Sequence, residues 1–280
     1  MSGTLYLCAT PIGNLEDITF RVLRTLREVD LIAAEDTRNS VKLLNHFEIK
    51  TPMTSYHEYN KIEKAHQLAE KLRAGKNIAL ITDAGTPGIS DPGEELVRVC
   101  CEEGIPVTSL PGPAACITAL TMSGLPTRRF AFEAFLPREK KERARVLAEL
   151  RDETRTIVLY EAPHHLVKTL EELQEVLPGR RISVCRELTK RYEERTLTTI
   201  EQCLAFYKEH EPRGEYVLVV EGKTFEECQK EEHARWEHMT LAAHMALYEG
   251  QGVSHKEAMR AVARDRGISK REVYQALLSE

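Results

Sequence analysis

The chain has 280 residues, 42% hydrophobic and 30% charged, enough to bury a full core, with two medium domains and a short appendage as the natural division. Its 39 Lys and Arg against 44 Asp and Glu leave a formal charge of −5, which excludes wholesale coating of nucleic acid and leaves room only for local basic patches. The apolar runs, such as those at 78–81, 157–160 and 216–220, are too short to span a bilayer, and no basic region precedes an apolar one at the N-terminus. A cytoplasmic protein with no membrane contact is therefore expected.

In chain order, 5–9 reads as a strand and 19–29 as a helix with Val22, Leu23, Leu26 and Val29 at helical spacing. Residues 31–34 form a second strand, 40–47 a helix, and 61–74 a longer helix closed by Gly75. A third strand at 78–81, a helix at 94–103 stopping at Gly104 and a fourth strand at 107–110 complete a βαβα rhythm, which predicts a largely parallel sheet. Gly124, Leu125, Pro126 and Thr127 break the last helix and mark a boundary, so the first domain is expected over 1–124.

From 125 to 222 the strands at 157–160, 182–185 and 216–220 are well separated, with helices at 140–150, 163–177 and 199–209, and predict a second α/β domain. Positive charge concentrates at 128–145 and at Arg180, Arg181, Arg186, Lys190 and Arg191, and acidic residues gather at 226–237. From 223 to 280 only helices are expected, at 234–248, 256–263 and 270–278, with Ser254 and Ser269 as N-caps. That module resembles a helix-turn-helix, and its last 27 residues carry six basic against four acidic side chains. It reads either as an RNA or ribosome contact or as a solvated capping module.

Seven cysteines, with no CxxC pair and no His at ligand spacing, read as reduced core residues, and no metal site is expected.

In a parallel sheet, ligands sit beyond the carboxyl ends of the strands. Unusual loops follow each of the first four strands: Thr10-Pro11-Ile12-Gly13-Asn14, Glu35-Asp36-Thr37-Arg38, the twelve residues from Thr82 to Gly93, and Pro111-Gly112-Pro113-Ala114-Ala115. The third has three Gly and two Pro, which fix a turn path and leave main-chain groups free to read an adenine edge or an amino-acid moiety; the bland reading is a tight turn without a ligand. Asp83 reads as a group that holds a hydroxyl or a ligand amine, and Asp91 as the cap of the helix that follows. Neither GxxxxGK[ST] nor GxGxxG is present, which removes support for nucleotide hydrolysis and nicotinamide chemistry.

The segments ATPIGNLEDIT, AEDTRNSVKLL, SYHEYN, TDAGTPGISDPG and SLPGPAACITAL, in this order and spacing, resemble the bacterial 16S rRNA (cytidine-2′-O)-methyltransferases, a branch of the tetrapyrrole-methylase superfamily. The similarity continues through YEAPHH, CRELTKRYEE and GEYVLVVEG, covering residues 4–222 and, more weakly, the tail. Tetrapyrrole methylases proper usually carry a GDP-type triplet in the third loop; Asp83-Ala84-Gly85-Thr86-Pro87 stands there instead and favours the RNA branch.

The resemblance implies two α/β domains with S-adenosylmethionine in the cleft between them, a symmetric homodimer, and 16S rRNA, within the small ribosomal subunit, as substrate. Carried over by position, Pro11, Asp83, Ala84, Gly85, Thr86, Pro87, Ser90, Pro113, Ala114 and Ala115 would surround the donor. Tyr160, Glu161, Ala162, Leu188 and Gly214 would close over it from the second domain. His165 stands where many relatives have Arg, so it is assigned no RNA contact. Methyl transfer to a hydroxyl needs alignment and a proton acceptor. Glu35, Asp36, Arg38, His57, Glu58, Asn60 and Glu187 are the candidate helpers, with Asp36 and Arg38 suited to positioning ribose and phosphate. His57 is the one among them that ordinarily titrates near neutrality, though a lone His is more often structural. The rival readings are a porphyrinoid C-methyltransferase on the same fold and a non-catalytic ribosome assembly factor.

Overall fold

The computed structural model describes residues 2–278. Residues up to Arg151 together with Arg155–Glu221 form one compact unit, and Asp152–Thr154 together with the residues from Gly222 form a second. The architecture is α/β with two five-stranded sheets and a C-terminal set of helices.

The first sheet is built from β1 (Leu5–Cys8), β2 (Leu31–Ala34), β3 (Met53–Ser55), β4 (Ile78–Ile81) and β5 (Val107–Leu110), in the order β3-β2-β4-β1-β5 with every neighbouring pair parallel. Helices α1 (Phe20–Glu28), α2 (Thr37–His46), α3 (Lys61–Arg73) and α4 (Gly93–Glu102) connect them. Strand alternation sorts the side chains. Leu5, Leu7, Ile78 and Leu80 pack with Leu68, Leu72, Leu96 and Val99 of α3 and α4, whereas Cys8, Ile32, Ala79 and Ile81 pack with Val22, Leu26 and Leu44 of α1 and α2. Both faces are covered, so the strands read as continuous apolar runs. The β3 edge strand has only three residues, all half-buried, and carries no periodic signal that sequence reading detects.

The second sheet contains β6 (Phe130–Phe135), β7 (Thr156–Glu161), β8 (Arg181–Arg186), β9 (Glu194–Thr199) and β10 (Tyr216–Val220), ordered β6-β7-β10-β8-β9. Only β6 and β7 run parallel. On one face, Ile157, Leu159, Val184 and Leu218 meet helices α6 (Lys140–Leu150), α7 (Pro163–Val176) and α8 (Ile200–Glu209). The other face, with Val158, Cys185, Val217 and Val219, is covered by Cys116, Ala119 and Leu120 of α5 (Ala115–Met122). The helix that precedes Gly124 therefore lies on the second sheet. The edge strands β6 and β9 escape sequence reading because β9 offers Leu197 as its sole large aliphatic and β6 is interrupted by an irregularity between Phe132 and Ala134.

In the second compact unit, α9 (Phe225–Glu237), α10 (Leu241–Glu249), α11 (His255–Asp265) and α12 (Lys270–Leu277) follow one another. The single helix expected over 234–248 is divided, because Thr240 starts α10 afresh by accepting the Ala243 amide at 3.2 Å. Ser254 and Ser269 cap α11 and α12 as expected. Met245, Ala258, Met259, Val262 and Val273 form this unit's core. Beside it the buried His244 ring stacks on Trp236 at 3.9 Å and accepts from Arg266 Nε at 3.2 Å. Burial and the Arg266 charge hold the His244 pKa below its ordinary value, against the pull of Asp265. Among the described residues no helix is long and apolar enough to cross a membrane.

Burial pushes the thiols of Cys8, Cys100 and Cys203 up to about 12 and that of Cys185 to about 11. At pH 8 these groups hold almost no thiolate, and Cys101 is exposed. Iodoacetamide at pH 8 is expected to modify Cys101 within minutes and to leave Cys8, Cys100, Cys185 and Cys203 unlabelled until the chain is denatured, as peptide mass mapping would report.

Candidate active site

The chain leaves β1 toward β2 on one side and leaves β4 toward β5 on the other, so its direction reverses at the adjacent pair β1 and β4. Their loops are joined there. Thr10 and Gly85 exchange both backbone hydrogen bonds, at 2.9 and 3.0 Å, and the buried Thr10 hydroxyl donates to the Thr82 carbonyl at 3.0 Å. Gly85 makes this possible at φ +88°, a conformation that L side chains rarely adopt. Thr86 Oγ1 donates to the Pro113 carbonyl at 2.8 Å, tying the β4 loop to the β5 loop. A Cβ on Gly112 would stand 2.6 Å from the Ala9 Cβ, so the β5 and β1 loops also touch.

The remainder of the β4 loop is organised by Asp91. Its carboxylate accepts from Gly88, Ile89 and Gly93 amides at 3.0, 3.1 and 2.8 Å, so it is the hub of the loop and holds the first amide of α4, although the N-cap position itself is Pro92. Tyr56 donates its buried hydroxyl to the Pro92 carbonyl at 3.0 Å.

The second sheet supplies the opposite wall. At the end of β7, the Tyr160 hydroxyl accepts the Cys116 amide at 3.2 Å, joining β7 to the N-terminus of α5, and burial pushes the phenol pKa up. Phe132 and Phe135 meet the Tyr160 ring edge-on at 5.0 and 5.6 Å. The buried Glu161 accepts from the Ala162 amide at 2.8 Å and from the Thr169 hydroxyl. Beyond β8, Glu187 Oε1 accepts the Glu215 amide at 3.0 Å and the Lys190 ammonium at 2.9 Å. Burial alone would raise the Glu187 carboxyl, but these donors hold it below its usual range. Gly214, at φ +83°, backs onto that carboxylate, and a Cβ there would lie 2.6 Å from Oε1.

These walls enclose a cavity of about 480 Å³. Of the residues singled out by sequence, Asp83, Ala84, Gly85, Thr86, Ser90, Ala114, Ala115, Tyr160, Glu161, Ala162 and Leu188 line it. Pro11 lines an adjoining cavity instead, and Pro113 is present through the carbonyl that holds Thr86. Pro87 and Gly214 lie outside both linings. Ile12 of the β1 loop and Glu35, also singled out by sequence, line it too, whereas Phe135, Glu215, Tyr216 and Val217 were not foreseen. Tyr216 and Val217 sit in β10, whose apolar run signals core and nothing more, and Phe135 belongs to the unread edge strand.

Among the described residues the lining contains five carboxylates, on Glu35, Asp83, Asp91, Glu161 and Glu215, and no basic side chain. Thr82 Oγ1 donates to Glu35 Oε2 at 2.5 Å, and Asn39 donates to Asp83 Oδ2 at 3.2 Å. Partial burial, reinforced by the Glu35 charge, raises the Asp83 carboxyl above its ordinary range despite the Asn39 bond. Asp36, Arg38 and His57 lie outside the linings of both cavities. Asp36 caps α2 and pairs with Arg38 at 2.7 Å, whose hydrogen bonds lower the Asp36 carboxyl to about 2, while the Arg38 side chain is 88% exposed. His57 faces its own turn, with Nε2 3.4 Å from Asn60 Nδ2 and Nδ1 buried without a partner.

The Tetrapyrrole (Corrin/Porphyrin) Methylases family matches residues 4–204. Ribosomal RNA small subunit methyltransferase I of Halalkalibacterium halodurans is 50% identical over 272 residues, covering 97% of this chain and 93% of that one. Its namesake from Bacillus subtilis is 49% identical, covering 98% and 94%. The chain belongs to the tetrapyrrole methylases, in the ribosomal RNA small subunit methyltransferase I branch. The fold agrees: a uroporphyrin III C-methyltransferase from Thermus thermophilus, solved complexed with S-adenyl homocysteine, superposes with a TM-score of 0.56 at 21% identity, covering 78% of this chain and 97% of that one. In this tetrapyrrole methylase, then, the loops after β1, β4 and β5 form one hydrogen-bonded assembly with Asp91 at its far end. Asp91→Ala removes the acceptor of three amides and is expected to destabilise the protein by roughly 1–3 kcal/mol, read as a lower urea midpoint. An unchanged midpoint would show that solvent satisfies those amides and that the loop does not depend on Asp91.

Proposed function

We propose that this chain is an S-adenosylmethionine-dependent methyltransferase that modifies the ribose 2′-hydroxyl of a cytidine in 16S rRNA, at the decoding centre of the small ribosomal subunit, and acts as a cytoplasmic homodimer. The observation that carries the donor assignment is the lining of the 480 Å³ cavity, acidic side chains and apolar walls with no basic group. A cavity of this size suits a compact ligand, and its charge suits one that bears a sulfonium and an ammonium rather than phosphates. The residues present fit the donor. Ile12, Leu188 and Val217 offer apolar surface for adenine, the main chain of Ala84 and Thr86 on either side of the paired Gly85 offers donors and acceptors, and the carboxylates offer partners for the cationic groups. When bound, S-adenosylmethionine supplies an already activated methyl group, so the chain's work is alignment and proton handling.

The rRNA assignment is supported by the names of the relatives, close to half identical along nearly the whole chain. The positions that carry the resemblance to cytidine 2′-O-methyltransferases support the finer one. Asp36 and Arg38 contribute at the rim: the Asp36 carboxylate holds one edge of the Arg38 guanidinium bidentately, Nε at 3.1 Å and Nη2 at 2.7 Å, and its opposite edge faces solvent as the contact for a phosphate. His57, held with Asn60, shapes the turn before α3.

The test is transfer of radiolabelled methyl from S-adenosylmethionine to unmodified small ribosomal subunits, with naked rRNA and a porphyrinoid precursor in parallel, followed by nuclease mapping. Label on a single 2′-O-methylcytidine is the expected result. Label only on the porphyrinoid would overturn the substrate while leaving the donor assignment, and donor binding without transfer to any of the three would turn the reading toward a non-catalytic assembly factor.

A further inference from the structure

A second cavity of about 370 Å³ adjoins the donor cavity. The β1 loop forms one side of it, through Thr10, Pro11, Gly13 and Leu15. One face of α2 forms the other, where Asn39, Lys42, Leu43 and His46 recur at the i, i+3, i+4, i+7 spacing of a single helical stripe. The two cavities share Thr82 and Asp83.

Their charges differ. Carboxylates and no basic group line the donor cavity, whereas the second carries Lys42 and His46 and has the shared Asp83 as its one acid. Thr10, Asn39 and Ser40 add neutral polar groups. A cation is favoured on the donor side of Asp83, and on the other side Lys42 offers a partner for an anion. A methyltransferase acting on a nucleic acid has that requirement, a sulfonium facing a hydroxyl that sits beside a phosphate.

We propose that the second cavity is the acceptor-nucleotide subsite, in which Lys42 and His46 hold an RNA phosphate, Asn39 and Asp83 receive the ribose, and Asp83 takes the proton of its 2′-hydroxyl. The proposal rests on the methyltransferase reading above and names the site that the reading leaves open. In the reaction the ribose oxygen forms a bond to the methyl carbon as the carbon–sulfur bond breaks. The electron pair of that bond stays on sulfur, which leaves as a neutral thioether, and the hydroxyl proton moves to an Asp83 oxygen and from there to water. Asn39 donates to Asp83 Oδ2 at 3.2 Å and the Asp36 amide also bonds this carboxylate, so two donors orient it toward the shared space. The charged groups around Asp83 are Glu35 and Asp36, which favour a proton on it, and Arg38, which is occupied by Asp36. Asp83 is solvent-exposed, so the proton has a way out.

The experiment compares wild type, the double variant Lys42→Glu/His46→Ala, Asp83→Asn and Asp83→Glu in steady-state methylation of unmodified small subunits, with S-adenosyl homocysteine affinity measured by calorimetry on each. The double variant is expected to raise KM for subunits by roughly tenfold or more, the loss of about one charged phosphate contact, with kcat and donor affinity within about threefold of wild type. Asp83→Asn is expected to lower kcat by about 100-fold or more at saturating donor, the usual scale for a missing base, beyond any loss of donor affinity, and Asp83→Glu to restore part of it. Three results overturn the proposal while leaving the methyltransferase reading intact: an unchanged KM in the double variant, an unchanged kcat in Asp83→Asn, or an Asp83→Asn defect confined to donor affinity. Failure of wild type to methylate any RNA would overturn both.

Discussion

The paired backbone bonds between Thr10 and Gly85 are the constraint on which the site depends. They extend the parallel sheet by one antiparallel rung just past the carboxyl ends of β1 and β4, where the chain's direction of travel reverses. That rung fixes the β4 loop against the β1 loop. Its neighbours follow from it: Thr82 presents its hydroxyl to Glu35, Thr86 reaches the Pro113 carbonyl, and Asp91 gathers the remaining amides. A ligand that must be read by main-chain groups needs them immobile beforehand, and these bonds supply that rigidity without spending a side chain on the ligand.

The second sheet acts as the other wall, and α5 is the joint. By sequence this helix belongs with the first four strands; by packing it covers Val158, Val217 and Val219 of the second sheet, with the Cys116 amide on the Tyr160 hydroxyl. Gly13 completes the seam, since a Cβ there would meet Lys190 Cγ at 2.5 Å. The cavity is thus bounded by two sheets whose separation is set by one short apolar helix and one glycine contact. Charge then divides the space, with an acidic cavity on one side of Asp83 and a basic helical stripe on the other.

Much of this was legible in the sequence, for identifiable reasons. Strands such as β4 and β10 are buried on both faces, and continuous apolar runs announce them. The Gly and Pro of the β4 loop announce a fixed turn path, and the resemblance across the loops pointed to eleven of the residues that line the cavity. What was not legible depends on partners distant in sequence. The edge strands β3, β6 and β9 owe their form to a neighbour's hydrogen bonds rather than to their own periodicity. Phe135 and Val217 reach the cavity only because the second sheet is folded against the first loops. Helix α2 read as an ordinary amphipathic segment, and nothing local to Lys42 or His46 shows that they face the same space as Asp83. Thr240, a cap inside an otherwise helical run, divided a segment whose composition favours one helix.

The central claim is that the cavity between the β4 loop and the end of β7 holds the methyl donor. Ultraviolet crosslinking of methyl-tritiated S-adenosylmethionine to the intact protein, followed by peptide mapping, tests it most directly. The account predicts label on peptides containing Thr82–Ser90 or Tyr160–Ala162, abolished by excess S-adenosyl homocysteine. Competed label confined to the C-terminal helices, or to the outer face of α6 and α7, would contradict it.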